Sequence, residues 1–162
     1  MIIHSDLNVL DIEAELLINA ANGKGWMGGF IGRFVRLKGV AESIHYVDPS
    51  IEKLAKKEAK RLKVKCGDVF LTDSGKLDFP RGILHAVTMN KPGQVSNLNI
   101  IESCLKNILK FCSKKNINTV AIPLLGTGTG KLKVFDVLDL YEDMLKSSNT
   151  LFNVSHYRFK ND

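Results

Sequence analysis

Cysteine is scarce in this chain of 162 residues: there are three, Cys66, Cys104 and Cys112, with no Cys-x-x-Cys spacing. An odd, unpaired set argues against a disulfide framework, and Cys104 and Cys112 read as small core residues of one helix. No signal-peptide pattern and no apolar run of membrane length is seen, so a reducing cytoplasm is the expected compartment. No cluster of His, Cys, Asp and Glu has the spacing of metal ligands, and neither metal nor cofactor is expected. Repeats, low-complexity tracts and linkers are missing too. The most informative gap is local: from Leu16 through Ala41 there is no Asp and no Glu.

What is present describes one domain large enough to bury a real core. Apolar residues make up 44% and charged residues 25%, the mixture of an ordinary globular protein. A net charge of +6 favours anionic ligands without specifying nucleic acid.

Two stretches stand out. Residues 15–18 form a short apolar run of the composition of a buried strand, followed by Asn19, Ala20, Ala21, Asn22 and then Gly23, Gly25, Gly28 and Gly29. Asparagines and glycines at this density predict that the regular element stops after Ile18. A bare backbone of this kind brings N–H groups close to an anion, and asparagine amides suit a hydroxylated ligand such as a ribose. The second stretch is an apolar run, residues 119–125, leading into Gly126, Thr127, Gly128, Thr129 and Gly130. Two strands that both end in glycine loops predict one crevice at the carboxyl edge of a sheet, where open α/β folds hold ligands. Backbone donors from both loops would converge on a diphosphate without a metal.

Along the rest of the chain, residues 1–4 read as an edge strand. Residues 28–47 read as partly helical, with Phe30, Ile31, Phe34, Val35 and Leu37 on an apolar face and a break at Gly39. Asp48-Pro49 is a helix start. Residues 50–62 would turn Ile51, Leu54, Ala55, Ala59 and Leu62 inward and Lys53, Lys56, Lys57, Lys60 and Arg61 outward. Residues 65–72 and 83–88 are strand-like, with His85 a core group in the second. Leu98–Lys115 is the clearest helix, residues 134–146 form another, and residues 151–159 a last strand. The alternation predicts a three-layer α/β/α domain, spanning residues 1–162, around a central, mostly parallel mixed sheet.

Three other readings compete. The basic face of residues 53–61 offers a nucleic-acid surface, but no aromatic residues interleave with it, and a solvated face is the alternative. Gly23 to Gly28 matches G-x-G-x-x-G literally, but two asparagines separate it from the strand, and Trp26 and Met27 crowd the pyrophosphate position. A Walker A loop fails at Leu132, which offers no hydroxyl after Gly130-Lys131.

The motif pair, Asn19-Ala20-Ala21-Asn22 with Gly28-Gly29 and Pro123-Leu124-Leu125-Gly126-Thr127-Gly128, resembles the macro domain, a module that binds ADP-ribose and in some members processes ADP-ribose 1''-phosphate. The resemblance covers nearly the whole chain. It implies that Asp6, with Leu7 beside it, reads adenine, although Asp6 otherwise serves as a cap for a turn through Asp11. It implies that Asn22 faces the distal ribose, with Asn19 in the same motif a further ligand-binding candidate, and that Gly28, Gly29, Phe30 and Ile31 line the diphosphate opposite Gly126, Thr127, Gly128, Thr129 and Gly130. Tyr157 or Phe159 is the expected adenine-stacking aromatic, with core packing as the alternative for both.

Departures from the family matter equally. Hydrolytic members place an aspartate just after the first glycine run, where Ile31 or Gly32 stands here. A second branch uses a lysine nucleophile, whose place falls near Arg36 or Lys38, with an acid in the second loop, whose place falls on Gly130 or Lys131. Arginine cannot serve as that nucleophile. The implied partners are ADP-ribose, ADP-ribosylated protein or ADP-ribosylated nucleic acid, with no membrane. Turnover, if present, would use Asn22 to position ribose and a substrate phosphate to activate water.

Overall fold

The apolar runs fold as strands because their branched residues can be buried on both faces of a covered sheet. The computed structural model describes residues 1–35 and 37–158. Six strands, β1 (Ile2–Ser5), β2 (Leu16–Asn22), β3 (Val69–Thr72), β4 (Ile83–Met89), β5 (Thr119–Pro123) and β6 (Leu151–Ser155), line up in the order β1-β6-β5-β2-β4-β3. Every neighbouring pair is parallel except β3, which runs antiparallel to β4 at the edge.

Side chains on β2 alternate between two cores, as the two-residue period of a strand requires. Leu16 and Ile18 join the core beneath α3 (Leu98–Lys115) and α4 (Val134–Leu145). Leu17 joins the opposite core, beneath α1 (Val40–Val47) and α2 (Ser50–Leu62). All three are fully buried, each stabilising the fold by roughly 1.5–3 kcal/mol. The result is the expected three-layer arrangement, with parallel strands delivering their carboxyl ends to one edge. Cys104 and Cys112 lie buried in α3, and burial pushes both thiols up to about 12. Among the described residues no helix is long and apolar enough to cross a membrane, and no group of three or more His, Cys, Asp and Glu could hold a metal ion.

Several expectations need correction. β2 does not stop at Ile18 but continues through Asn22, because pairing with β4 carries it past the apolar run. β3 starts at Val69 because Gly67, at φ +92°, turns the chain just before it. The described residues of 28–47 hold a short 3-10 turn, Ile31–Arg33, and then α1 after Gly39. Phe30, Ile31, Phe34 and Val35 face solvent there instead of a core. Leu54 and Leu62 of α2 are also exposed, while Glu52 is buried on its inward side. The helix start behaves as a cap should: Asp48 Oδ1 accepts from the Ser50 N–H at 3.0 Å, although the first helical residue is Ser50. β6 ends at Ser155, short of the expected residue 159, and residues 156–158 are irregular; Phe159 and Arg36 lie outside the described residues.

Candidate functional site

Neighbouring strands β2 and β5 end at the same sheet edge, and each opens into its glycine loop there. The first loop is organised by Asn22, which is 7% exposed. Its Oδ1 accepts from the N–H of Lys24 (3.0 Å) and of Trp26 (3.2 Å), and its Nδ2 donates to the Trp26 carbonyl at 2.9 Å. The asparagine thus replaces the ladder that the chain leaves behind.

The glycines beyond it have distinct local causes. Gly25, at φ +68°, lets the loop lie on the backbone of α2, where a Cβ would come within 2.7 Å of Ala55 and Lys56. Gly28 and Gly32 close around the His45 ring; a Cβ at Gly32 would stand 2.9 Å from His45 Cδ2. His45 of α1 and Glu52 of α2 meet beneath this turn. The Gly29 N–H donates to Glu52 Oε2 at 3.0 Å, and His45 Nε2 donates to the Gly29 carbonyl at 2.8 Å. His45 Nδ1 lies 3.0 Å from Glu52 Oε2 without an aligned hydrogen bond, and Lys56 Nζ pairs with Glu52 Oε1. The acid-free stretch therefore receives a carboxylate after all, from below, with a cation beside it.

The second loop closes on itself. Leu132 N–H returns to Gly126 O at 2.9 Å and Lys131 N–H to Gly128 O at 3.0 Å. Thr127 Oγ1 donates to Leu124 O at 2.9 Å, which commits its hydroxyl to the turn. Tyr141 of α4 anchors the loop's start by donating to Pro123 O at 2.6 Å and accepting from Leu125 N–H at 3.0 Å. Gly126 and Gly130 press against each other's neighbourhood, and Gly130 is buried. Gly128 differs: it has no positive φ, and a Cβ there would meet no protein atom within 4 Å. Gly128 and Thr129 are exposed at the tip.

Asp6 and Leu7 follow β1 at the same edge, both exposed. The cap of the turn Val9–Asp11 is Asn8, whose Oδ1 accepts from Leu10 N–H at 3.1 Å, so Asp6 is not consumed as a cap. A cavity of about 430 Å³ is lined by His4, Ser5, Asp6, Leu138 and His156. His4 Nδ1 and His156 Nε2 are 2.8 Å apart. Burial, then the neighbouring His4, lowers the pKa of His156. Tyr157, one of the two aromatics expected here, does not line this cavity; the imidazole of His156 does. Phe159 lies outside the described residues.

Asn19 stands apart from the crevice. It is fully buried, and its Nδ2 donates to His85 Nδ1 at 3.1 Å. His85 passes the chain on from Nε2 to Thr72 Oγ1 at 2.8 Å, and burial holds its pKa down to about 3. A ligand cannot reach Asn19 here, because β2 extends further than the apolar run suggested. His85 is the satisfied core group expected of it. Phe30 and Ile31 stand at the exposed rim, 74% and 65% accessible. Lys38 is exposed and lacks the desolvation a nucleophilic lysine needs. The basic face of α2 is partly self-neutralised, Lys56 by Glu52 and Arg61 by Glu58.

His45, Glu52 and Tyr141 are the important residues the sequence reading missed. A signal existed for two of them. Gly28 and Gly32 are four apart, leaving room for a ring, and Glu52 neighbours the inward Ile51 with Lys56 four residues on.

Paired glycine loops at adjacent parallel strand ends, with Asp6 after a farther strand of that edge, are the arrangement that the macro resemblance implies. The chain belongs to the macro domain family, whose model matches residues 18–141. The macrodomain of Thermus aquaticus DarG superposes with a TM-score of 0.82 at 26% identity, covering 96% of this chain and 98% of that one. Thermosipho africanus DarTG in complex with ADP-ribose shares the fold, with a TM-score of 0.76 at 20% identity over 99% of this chain and 43% of that one. The DNA ADP-ribosyl glycohydrolase of Mycobacterium tuberculosis is 31% identical over 137 residues, 85% of this chain. This chain spans only 36% of that relative's length.

Proposed function

We propose that this domain binds ADP-ribose, free or attached to a macromolecule, across the carboxyl edge of its sheet. The observation that carries the reading is Gly128. Every other glycine of the two loops has either a positive φ or a neighbouring atom closer than 3 Å to where a Cβ would stand, whereas Gly128 has neither and leaves bare backbone that no described neighbour requires. Strand order supports an elongated ligand. β1 lies three strand spacings from β2, roughly 14 Å at about 4.8 Å per strand. Adenine sits in the Asp6 cavity, the diphosphate between the loops, and the distal ribose beside Asn22. The mild positive charge of the chain favours such a ligand.

ADP-ribosylated DNA is the favoured attached form, in keeping with the name of the mycobacterial relative. Removal of the modification would proceed with a substrate phosphate oxygen activating water and the loops holding the ribose. Without a carboxylate of its own at the ribose, the site forgoes the roughly 10²–10⁴-fold that a general base supplies. Calorimetric titration with ADP-ribose, with ADP and NAD as comparators, tests the reading. Tight ADP-ribose binding that weakens in Asp6→Ala supports it. No binding at millimolar ligand would overturn it.

A further inference from the structure

Deepening the ADP-ribose reading, we infer that His45 and Glu52 are positioning residues that aim the Phe30 N–H into the crevice as the first loop's diphosphate donor. Both side chains of this pair are nearly inaccessible, 1% exposed for His45 and 5% for Glu52. Burying such a pair is costly, and a well-packed apolar pair would stabilise the core at least as well. Their contacts point to another use, since both grip one residue. Glu52 takes the Gly29 N–H and His45 donates to the Gly29 carbonyl.

The geometry of the peptide bond supplies the rest. In a trans peptide the C=O of one residue and the N–H of the next point in opposite directions. With the Gly29 carbonyl drawn inward to His45, the Phe30 N–H of the same amide is directed away from the buried ring. Among the described residues every peptide bond is trans. Phe30 itself is exposed. A donor on the carbonyl also polarises that amide and strengthens its N–H as a donor. Gly28 and Gly32 exist in this scheme to let the ring in. The Gly29 N–H, by contrast, is withdrawn from the ligand, so the glycine next to Phe30 provides room and not a hydrogen bond.

The test uses the full chain and its variants His45→Phe, His45→Gln and Glu52→Gln. Affinities for ADP-ribose, ADP and adenosine are measured by calorimetry, and the Phe30 amide is followed by ¹⁵N–¹H NMR during titration with inorganic pyrophosphate. Loss of about tenfold in ADP-ribose and ADP affinity in His45→Phe, with adenosine affinity unchanged, is the expected result. His45→Gln should recover most of the loss, because its carboxamide can still donate to the Gly29 carbonyl, and the pyrophosphate-induced shift of Phe30 should follow the same order. Glu52→Gln keeps an acceptor for the Gly29 N–H and should lose less than His45→Phe. Equal losses for adenosine and ADP-ribose, no loss in His45→Phe, or no rescue by glutamine would each overturn the inference. Wild type that ignores ADP-ribose yet shows a Phe30 shift with pyrophosphate would refute the ADP-ribose reading and sustain the positioning role. Silence of both probes would refute both.

Discussion

Replacing Asn22 with alanine removes three hydrogen bonds at once, all to the loop's own backbone. At a net contribution of about 1 kcal/mol each, the upper expectation is about 3 kcal/mol. Lys24 is exposed, so water can take over its N–H, and about 2 kcal/mol is the expected loss. For a domain of this size that lowers Tm by roughly 4–8 °C. Thermal denaturation by circular dichroism and titration with ADP-ribose on the same sample form the assay. ADP-ribose affinity should fall together with Tm, because the loop that carries the ligand donors has lost its organiser. Asn22→Asp retains the acceptor for Lys24 and Trp26 and should recover part of the stability. An unchanged Tm with abolished binding would refute this reasoning, since the amide would then serve the ligand and not the loop.

Other predictions bear on separate parts of the fold. Gly128→Val should leave thermal stability within about 0.5 kcal/mol of wild type while weakening ADP-ribose; Gly130→Ala should unfold at lower temperature, because its Cβ would lie 2.5 Å from Gly126 O. Tyr141→Phe strips the hydroxyl from the Pro123 carbonyl and the Leu125 N–H, which are enclosed, and should cost about 1–3 kcal/mol in denaturant unfolding. His85 stays neutral in the fold down to about pH 3, whereas in the unfolded chain it takes up a proton near 6.5. The unfolded state therefore binds more protons in that window, and stability falls as pH is lowered through it. Between pH 6.5 and 5 the loss from this group is about 1.6 kcal/mol, and His85→Gln should flatten the slope measured by urea midpoints. Asp48 is buried, which opposes ionisation, but its hydrogen bonds from Ser50 and Lys76 outweigh this and hold its carboxyl below the usual range. Its contribution is present at neutral pH and is lost only below the ordinary carboxylate range, so Asp48→Asn should destabilise at pH 7 and matter little in strong acid.

Much of the molecule was legible in the sequence because it is written in short-range pattern. The recurrence of Ile101, Cys104, Leu105, Ile108 and Cys112 placed α3 to the residue, and the glycine runs after two apolar stretches marked the crevice. These features depend on periodicity and on backbone freedom, which neighbouring residues express without reference to distant ones. What the pattern could not contain is what each face meets. Asn19 reads as part of a ligand loop until β4 extends β2 and His85 arrives beside it. Phe30, Phe34 and Val35 read as a core face, yet no described element covers them, since α1 begins only after Gly39. Glu52 reads as one charge on a basic helix, and only the folding of the first loop over α2 turns it into the carboxylate that holds Gly29. Local sequence determined the strands, the helices and the two loops. Tertiary structure alone decided which polar groups are spent inside the protein and which are left for a ligand, because a hydrogen bond between residues far apart in the chain exists only once the sheet has brought them together.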